Sequence, residues 1–98
     1  MTDTTVHLIA RLVPQQGKEA ELAQTMLALI PRVRTEPGCL AYAAHESLDA
    51  PGVIVMVEAW ADQAALDTHA ALLETSGAAA RLGSLLAEPV AMERLRAI

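Results

Sequence analysis

A chain of 98 residues is long enough for one domain and too short for two, and a domain of this size buries only a modest core. Hydrophobic residues make up 53% of it and charged residues 19%, which excludes a disordered chain. The net charge of −5, with Lys and Arg scattered, argues against nucleic acid or an anionic membrane as partner.

The first element is a strand in "TVHLIARLVP". Val6, Leu8, Ala10 and Leu12 alternate with His7, Ile9, Arg11 and Val13, and Pro14 ends it. In "KEAELAQTMLALIPRVRTE", Leu22, Met26, Leu29, Ile30 and Val33 form one stripe of an amphipathic helix. Pro31 predicts a kink or a weakened last turn. "EPGC" breaks the helix, because Glu36 precedes a proline and Gly38 tolerates positive φ. "CLAYAAHES" reads as a second strand and "LDAPG" as a turn. "VIVMVEAW" is the strongest strand pattern in the chain. Asp62 is the expected N-cap of a second helix, on which Leu66, His69, Ala70 and Leu73 share a face. "ETSG" interrupts, "AAARLGSLLA" is a further helical piece, and "EPVAMERLRAI" is a last strand entered through Pro89.

The order β-α-β-β-α-β over residues 1–98 predicts a single ferredoxin-like α+β domain, a four-stranded antiparallel sheet with two helices on one face. Val53, Val55 and Val57 point to one side of the third strand, Ile54 and Met56 to the other. Helices cover one side only, so a homodimer packed sheet to sheet is expected. The N-terminus has no signal-peptide pattern, no apolar run spans a membrane, and one Cys permits no internal disulfide. These features fit a cytoplasmic protein.

No cysteine, histidine or carboxylate spacing suits a metal, and no Gly-rich phosphate loop is present. Cys39, among apolar neighbours, reads as a small buried thiol. Trp60 closes the third strand, either as a core plug or as a wall on which a flat ligand stacks. Glu58 shares its face and must find a donor or take up a proton, with Arg11, Tyr42 and His69 as candidate partners. His69 is either a satisfied core histidine or a proton acceptor. His7 and His45 are weaker candidates for chemistry.

Three stretches together resemble the antibiotic biosynthesis monooxygenase family. "EPGCLAY" (residues 36–42) is similar to its helix-to-strand turn followed by a tyrosine. "EAWADQAALDTH" (residues 58–69) is similar to its acid–aromatic strand end followed by a helix bearing a His. "LLAEPVAMERL" (residues 85–95) is similar to its entry to the last strand. The resemblance implies a dimeric α/β barrel, a pocket between sheet and helices, and oxidation of phenols or quinols by molecular oxygen without metal, flavin or other cofactor. By matching position it implies Trp60 and His69, with Glu58 and Tyr42, as pocket residues. The expected catalytic residues are then His69 and Trp60, and the expected substrate-binding residues Glu58, Tyr42 and, from its place in the first strand, Arg11.

Two departures stand out. Family members often carry a second His shortly after the first, where this chain has Leu72, Leu73 and Glu74. Ala10 replaces the Asn of the haem-degrading branch. The implied chemistry has His69 as base, Trp60 as wall, and Tyr42 or Arg11 as donor to the developing oxyanion. An acid–base isomerase of a small polar metabolite and a non-catalytic ligand-binding dimer remain open as alternatives.

Overall fold

The computed structural model describes residues 3–98. Seven elements follow one another: β1 (Val6–Leu12), α1 (Glu19–Val33), β2 (Cys39–Glu46), β3 (Ile54–Trp60), α2 (Gln63–Thr75), α3 (Ala78–Leu85) and β4 (Ala91–Leu95). The strands form one antiparallel sheet in the order β2-β3-β1-β4, with the helices on one side. This is the expected ferredoxin-like fold, with the second helical layer split in two. The split falls at Gly77, whose φ of 84° closes α2 and starts α3.

The alternation in the strands sorts the two faces. Leu8, Ala10 and Leu12 of β1 and Ile54, Met56, Glu58 and Trp60 of β3 face the helices and are buried. Against them lie Leu22, Met26, Ile30 and Val33 of α1, Leu66 of α2, and Leu82 and Leu85 of α3. Leu29, counted in the α1 stripe, is only partly buried at its margin. Pro31 does not end α1. The helix continues to Val33, and the Arg34 N–H still reaches the Ile30 carbonyl at 3.0 Å. Proline removes the N–H that would bond the Leu27 carbonyl, and Leu27 is exposed, so water can serve instead.

The other face of the sheet carries no helix. Ile9 pairs with Val57, Val57 with Ala43, and Ala59 with Ala41, so an apolar surface runs across three strands. Ile9 and Val57 are 36% and 43% exposed there. The last strand is shorter than its pattern suggested: residues 88–90 are an approach loop, and all of β4 is exposed at the sheet edge. No helix of the described residues is long and apolar enough to cross a membrane.

Candidate active site

Period-two geometry puts Glu58 and Trp60 on the helix-facing side of β3, and Tyr42 lies directly opposite Glu58 on β2. α2 supplies the fourth member. Its start is fixed by Asp62, whose carboxylate accepts the Ala65 N–H at 2.8 Å, and His69 follows about two turns later on the inward stripe.

The turn after α1 supplies a fifth that sequence reasoning missed as a functional group. The Glu36 N–H donates to the Val33 carbonyl at 2.9 Å, and the Cys39 N–H donates to the Glu36 carbonyl at 3.1 Å. Gly38 adopts a φ of 81° and accepts the Ala61 N–H at 2.8 Å, which ties this turn to the entry of α2. A Cβ on Gly38 would stand 2.6 Å from the Ala65 Cβ, so only glycine lets the first turn of α2 come this close. The consequence is that Glu36 Oε1 lies 3.0 Å from Nδ1 of His69. Nothing in residue spacing announces a pair 33 positions apart.

Three aromatic rings interlock. The Trp60 indole stacks on the His69 imidazole with centroids 4.6 Å apart and planes 29° from parallel. The Tyr42 ring meets the imidazole edge-on at 5.4 Å and the indole at 6.4 Å. The Trp60 Nε1–H donates to Oε1 of Glu58 at 3.0 Å, which answers where that buried carboxylate finds a donor. Neither Arg11 nor Tyr42 provides it.

A cavity of about 620 Å³ opens between the sheet and the helices. Most of its wall is apolar, formed by residues such as Leu8, Met26, Met56, Leu66 and Leu82. Tyr42, Glu58 and His69 also line it, although each is at least 96% buried. Among the described residues, three of their polar atoms make no hydrogen bond: Nε2 of His69, the second oxygen of Glu58 and the Tyr42 hydroxyl. No fully buried side-chain nitrogen or oxygen lacks a partner. These three atoms therefore reach open space, and the space their residues share is this cavity.

Electrostatics follow from that burial. Desolvation pushes the Glu58 carboxyl above its ordinary value; the Trp60 hydrogen bond and the nearby imidazole pull it partly back, and the Glu36 charge adds to the rise. The Tyr42 phenol is held well above its ordinary value, first by burial and then by the Glu58 and Glu36 carboxylates. With a carboxylate oxygen as its partner, Nδ1 of His69 is the ring nitrogen suited to carry the proton, and in that tautomer Nε2 presents a lone pair toward the cavity. The arrangement can remove a proton from a ligand and hold the resulting imidazolium beside a carboxylate.

The sequence candidates divide. His69, Tyr42 and Glu58 come together at the cavity. Trp60 does not line it: the indole is fully buried, with one face taken up by the imidazole, so it backs His69 instead of meeting a ligand. Arg11 lies exposed on the helix-free side of the sheet, because its place in β1 alternates with Ala10 and Leu12. His7 and His45 belong to that side as well. Cys39 is half-buried, not the enclosed thiol expected, and burial raises its pKa. Glu74, at the position of the family's second His, stands at the cavity margin with Glu88. Among the described residues no group of three or more His, Cys, Asp or Glu could hold a metal ion.

Comparison with known proteins places these features. A Mycobacterium tuberculosis protein described as "Putative monooxygenase Rv0793" is 34% identical over 87 residues, covering 89% of this chain and 85% of that one. Its solved structure superposes with a TM-score of 0.87 at 33% identity, over 96% of this chain and 95% of the other. A Caulobacter crescentus structure, named a "putative antibiotic biosynthesis monooxygenase", gives a TM-score of 0.85 at 30% identity and covers 98% and 92% of the two chains. A conserved Methanosarcina mazei protein, 22% identical, shares the fold with a TM-score of 0.87 over 96% and 93%. The model of the family described as "Antibiotic biosynthesis monooxygenase" matches residues 5–81, most of the chain, and the protein belongs to that family.

Proposed function

We propose that the chain is a monooxygenase that oxidises a phenolic or quinol-type small molecule with molecular oxygen, using the ligand's own electrons and no prosthetic group. The observation that carries this reading is the His69–Glu36 pair, whose free Nε2 opens on a mostly apolar cavity large enough for fused rings. The family membership and the name of the Mycobacterium relative support the reaction class.

The steps balance without an external reductant. Nε2 of His69 takes the hydroxyl proton, and the imidazolium is stabilised by Glu36. The phenolate passes one electron to oxygen, and the two radicals join at a ring carbon para to the oxygen. The imidazolium returns its proton to the peroxide. Loss of the ring C–H proton and cleavage of the O–O bond then give a quinone and one water. One oxygen atom enters the product, the other leaves as water, and the substrate supplies all four electrons. Tyr42, kept neutral by burial, donates a hydrogen bond to the developing negative charge. Trp60 holds the imidazole in place by stacking on it and by anchoring Glu58.

The working unit of this reading is a dimer formed over the helix-free sheet face. Oxygen consumption with a panel of mono-, bi- and tricyclic phenols tests the activity. The expected result is uptake of one oxygen molecule per quinone formed, without added flavin, nicotinamide or metal. A panel that is bound but consumes no oxygen overturns the reading.

A further inference from the structure

The charges around the cavity are one-sided. Apart from His69, its charged lining residues are Glu58, Glu74 and Glu88, and none of the seven Lys and Arg residues lines it. Arg34, which reaches the Tyr42 strand, is already committed: its Nε donates to the Tyr42 backbone carbonyl at 3.1 Å. Arg94 donates to Gln63 at 2.9 Å, Arg11 lies on the far side of the sheet, and Arg32 and Arg81 line a separate small groove. The Tyr42 hydroxyl, more than nine-tenths buried and without a partner among the described residues, marks the polar end of the cavity as a place for a ligand group. Glu58, the cross-strand partner of Tyr42, lines the same cavity with one oxygen free of the Trp60 hydrogen bond.

An anion entering this space gives up its hydration and gains no cation in exchange. It also meets a carboxylate at close range, in surroundings where water screens little. A neutral phenol has no such penalty, and its hydroxyl can donate to Nε2 of His69. We infer that the cavity admits phenols in their neutral form and excludes ligands bearing a carboxylate or phosphate, with Glu58 as the residue that sets the selectivity. The inference rests on the phenol-oxidising reading for its ligand class, but it concerns binding and not turnover. It also makes His69 necessary: a substrate that arrives protonated needs a base inside the site.

The test uses three ligands that differ only on the ring remote from the hydroxyl and keep a C–H para to it: 1-naphthol, 5-hydroxy-2-naphthamide and 5-hydroxy-2-naphthoate. Affinities are measured calorimetrically without turnover, in the absence of oxygen. The naphthol and the neutral amide should bind within about threefold of each other, and the carboxylate at least about thirtyfold more weakly, since charge and not size separates the last two. Glu58→Gln keeps an oxygen to accept the Trp60 N–H and should narrow the amide–acid gap by about tenfold. Should that variant fail to fold, the pair Glu74→Gln and Glu88→Gln carries the test, and it should narrow the gap by about threefold at low salt. An acid that binds as well as the amide, a gap insensitive to these substitutions, or no binding of any neutral phenol overturns the inference. Naphthol that binds with the expected selectivity but is never oxidised leaves it standing and overturns the monooxygenase reading alone.

Discussion

His69 concentrates the site in one side chain. Glu36 holds one ring nitrogen, the Trp60 indole supports one face, the Tyr42 edge meets the ring, and the remaining nitrogen is open to the cavity. His69→Ala should lower phenol oxidation by about 10² to 10⁴, the range for loss of a general base. Glu36→Gln should act more mildly, by roughly tenfold, because the amide oxygen can still accept from Nδ1 while the charge beside the imidazolium is gone. Activity per folded molecule, with thermal unfolding measured in parallel, separates this from a packing role. If His69→Ala loses stability but keeps its specific activity, the imidazole is core. Glu58 gives a pH signature. Its folded-state pKa is raised, so its contribution to stability is complete below the ordinary carboxylate range and is lost as pH rises through the folded value. Glu58→Gln should therefore remove a decline in stability above about pH 4.5, seen in denaturant titrations of the wild type at several pH values. Tyr42 is the only tyrosine, so ultraviolet absorbance titration should show no phenolate in the folded protein near its ordinary pKa of 10.0.

The elements explain which parts of this arrangement were legible beforehand. Strong periodicities carried through: the β3 alternation placed Glu58 and Trp60 on one face, and the Asp62 cap with the Leu66–His69 spacing placed the imidazole inward. Those signals are local, set by period and by a single capping hydrogen bond. Two placements needed a third dimension. Trp60 was legible as an inward-facing ring but not as one sealed behind His69, since that depends on how α2 settles over the end of β3. Arg11 alternates with Ala10 and Leu12, whose burial shows which way it points; a strand pattern apolar on both sides hides that direction. Glu36 was visible only as the residue before a proline. Its contact with His69 depends on Gly38, where a positive φ and the closeness of Ala65 let two elements touch. Gly38→Ala should destabilise the fold by about 1–3 kcal/mol through backbone strain and the clash with Ala65. It should also cut activity beyond the folded fraction by separating Glu36 from His69. Denaturant midpoints and single-turnover rates check both parts, and a Gly38→Ala protein with wild-type stability would show that the turn has slack.

At the scale of the whole molecule, the helix layer answers only half of the sheet. The core side is closed by three helices, while Ile9, Val57 and the paired alanines of β2 and β3 stand on the open side. Alanines at Ala41, Ala43 and Ala59 leave that surface smooth, so another sheet could approach closely without large side chains holding it off. A two-fold contact would bury the same residues from each copy and would cover Val57 near its centre. The expected mass by light scattering at micromolar concentration is thus twice the chain's 10.4 kDa. Val57 makes the sharper test because it is 43% exposed in the single chain. Val57→Lys should cost an isolated subunit little, roughly within 0.5 kcal/mol as for other exposed positions. In a dimer the same lysine would be buried without a partner, which costs several kcal/mol and should shift the mass to that of one chain. A wild-type protein that is monomeric and stable at micromolar concentration would mean that the open face tolerates water. A Val57→Lys protein that stays dimeric would move the interface to another surface, with the exposed β4 edge as the next place to look.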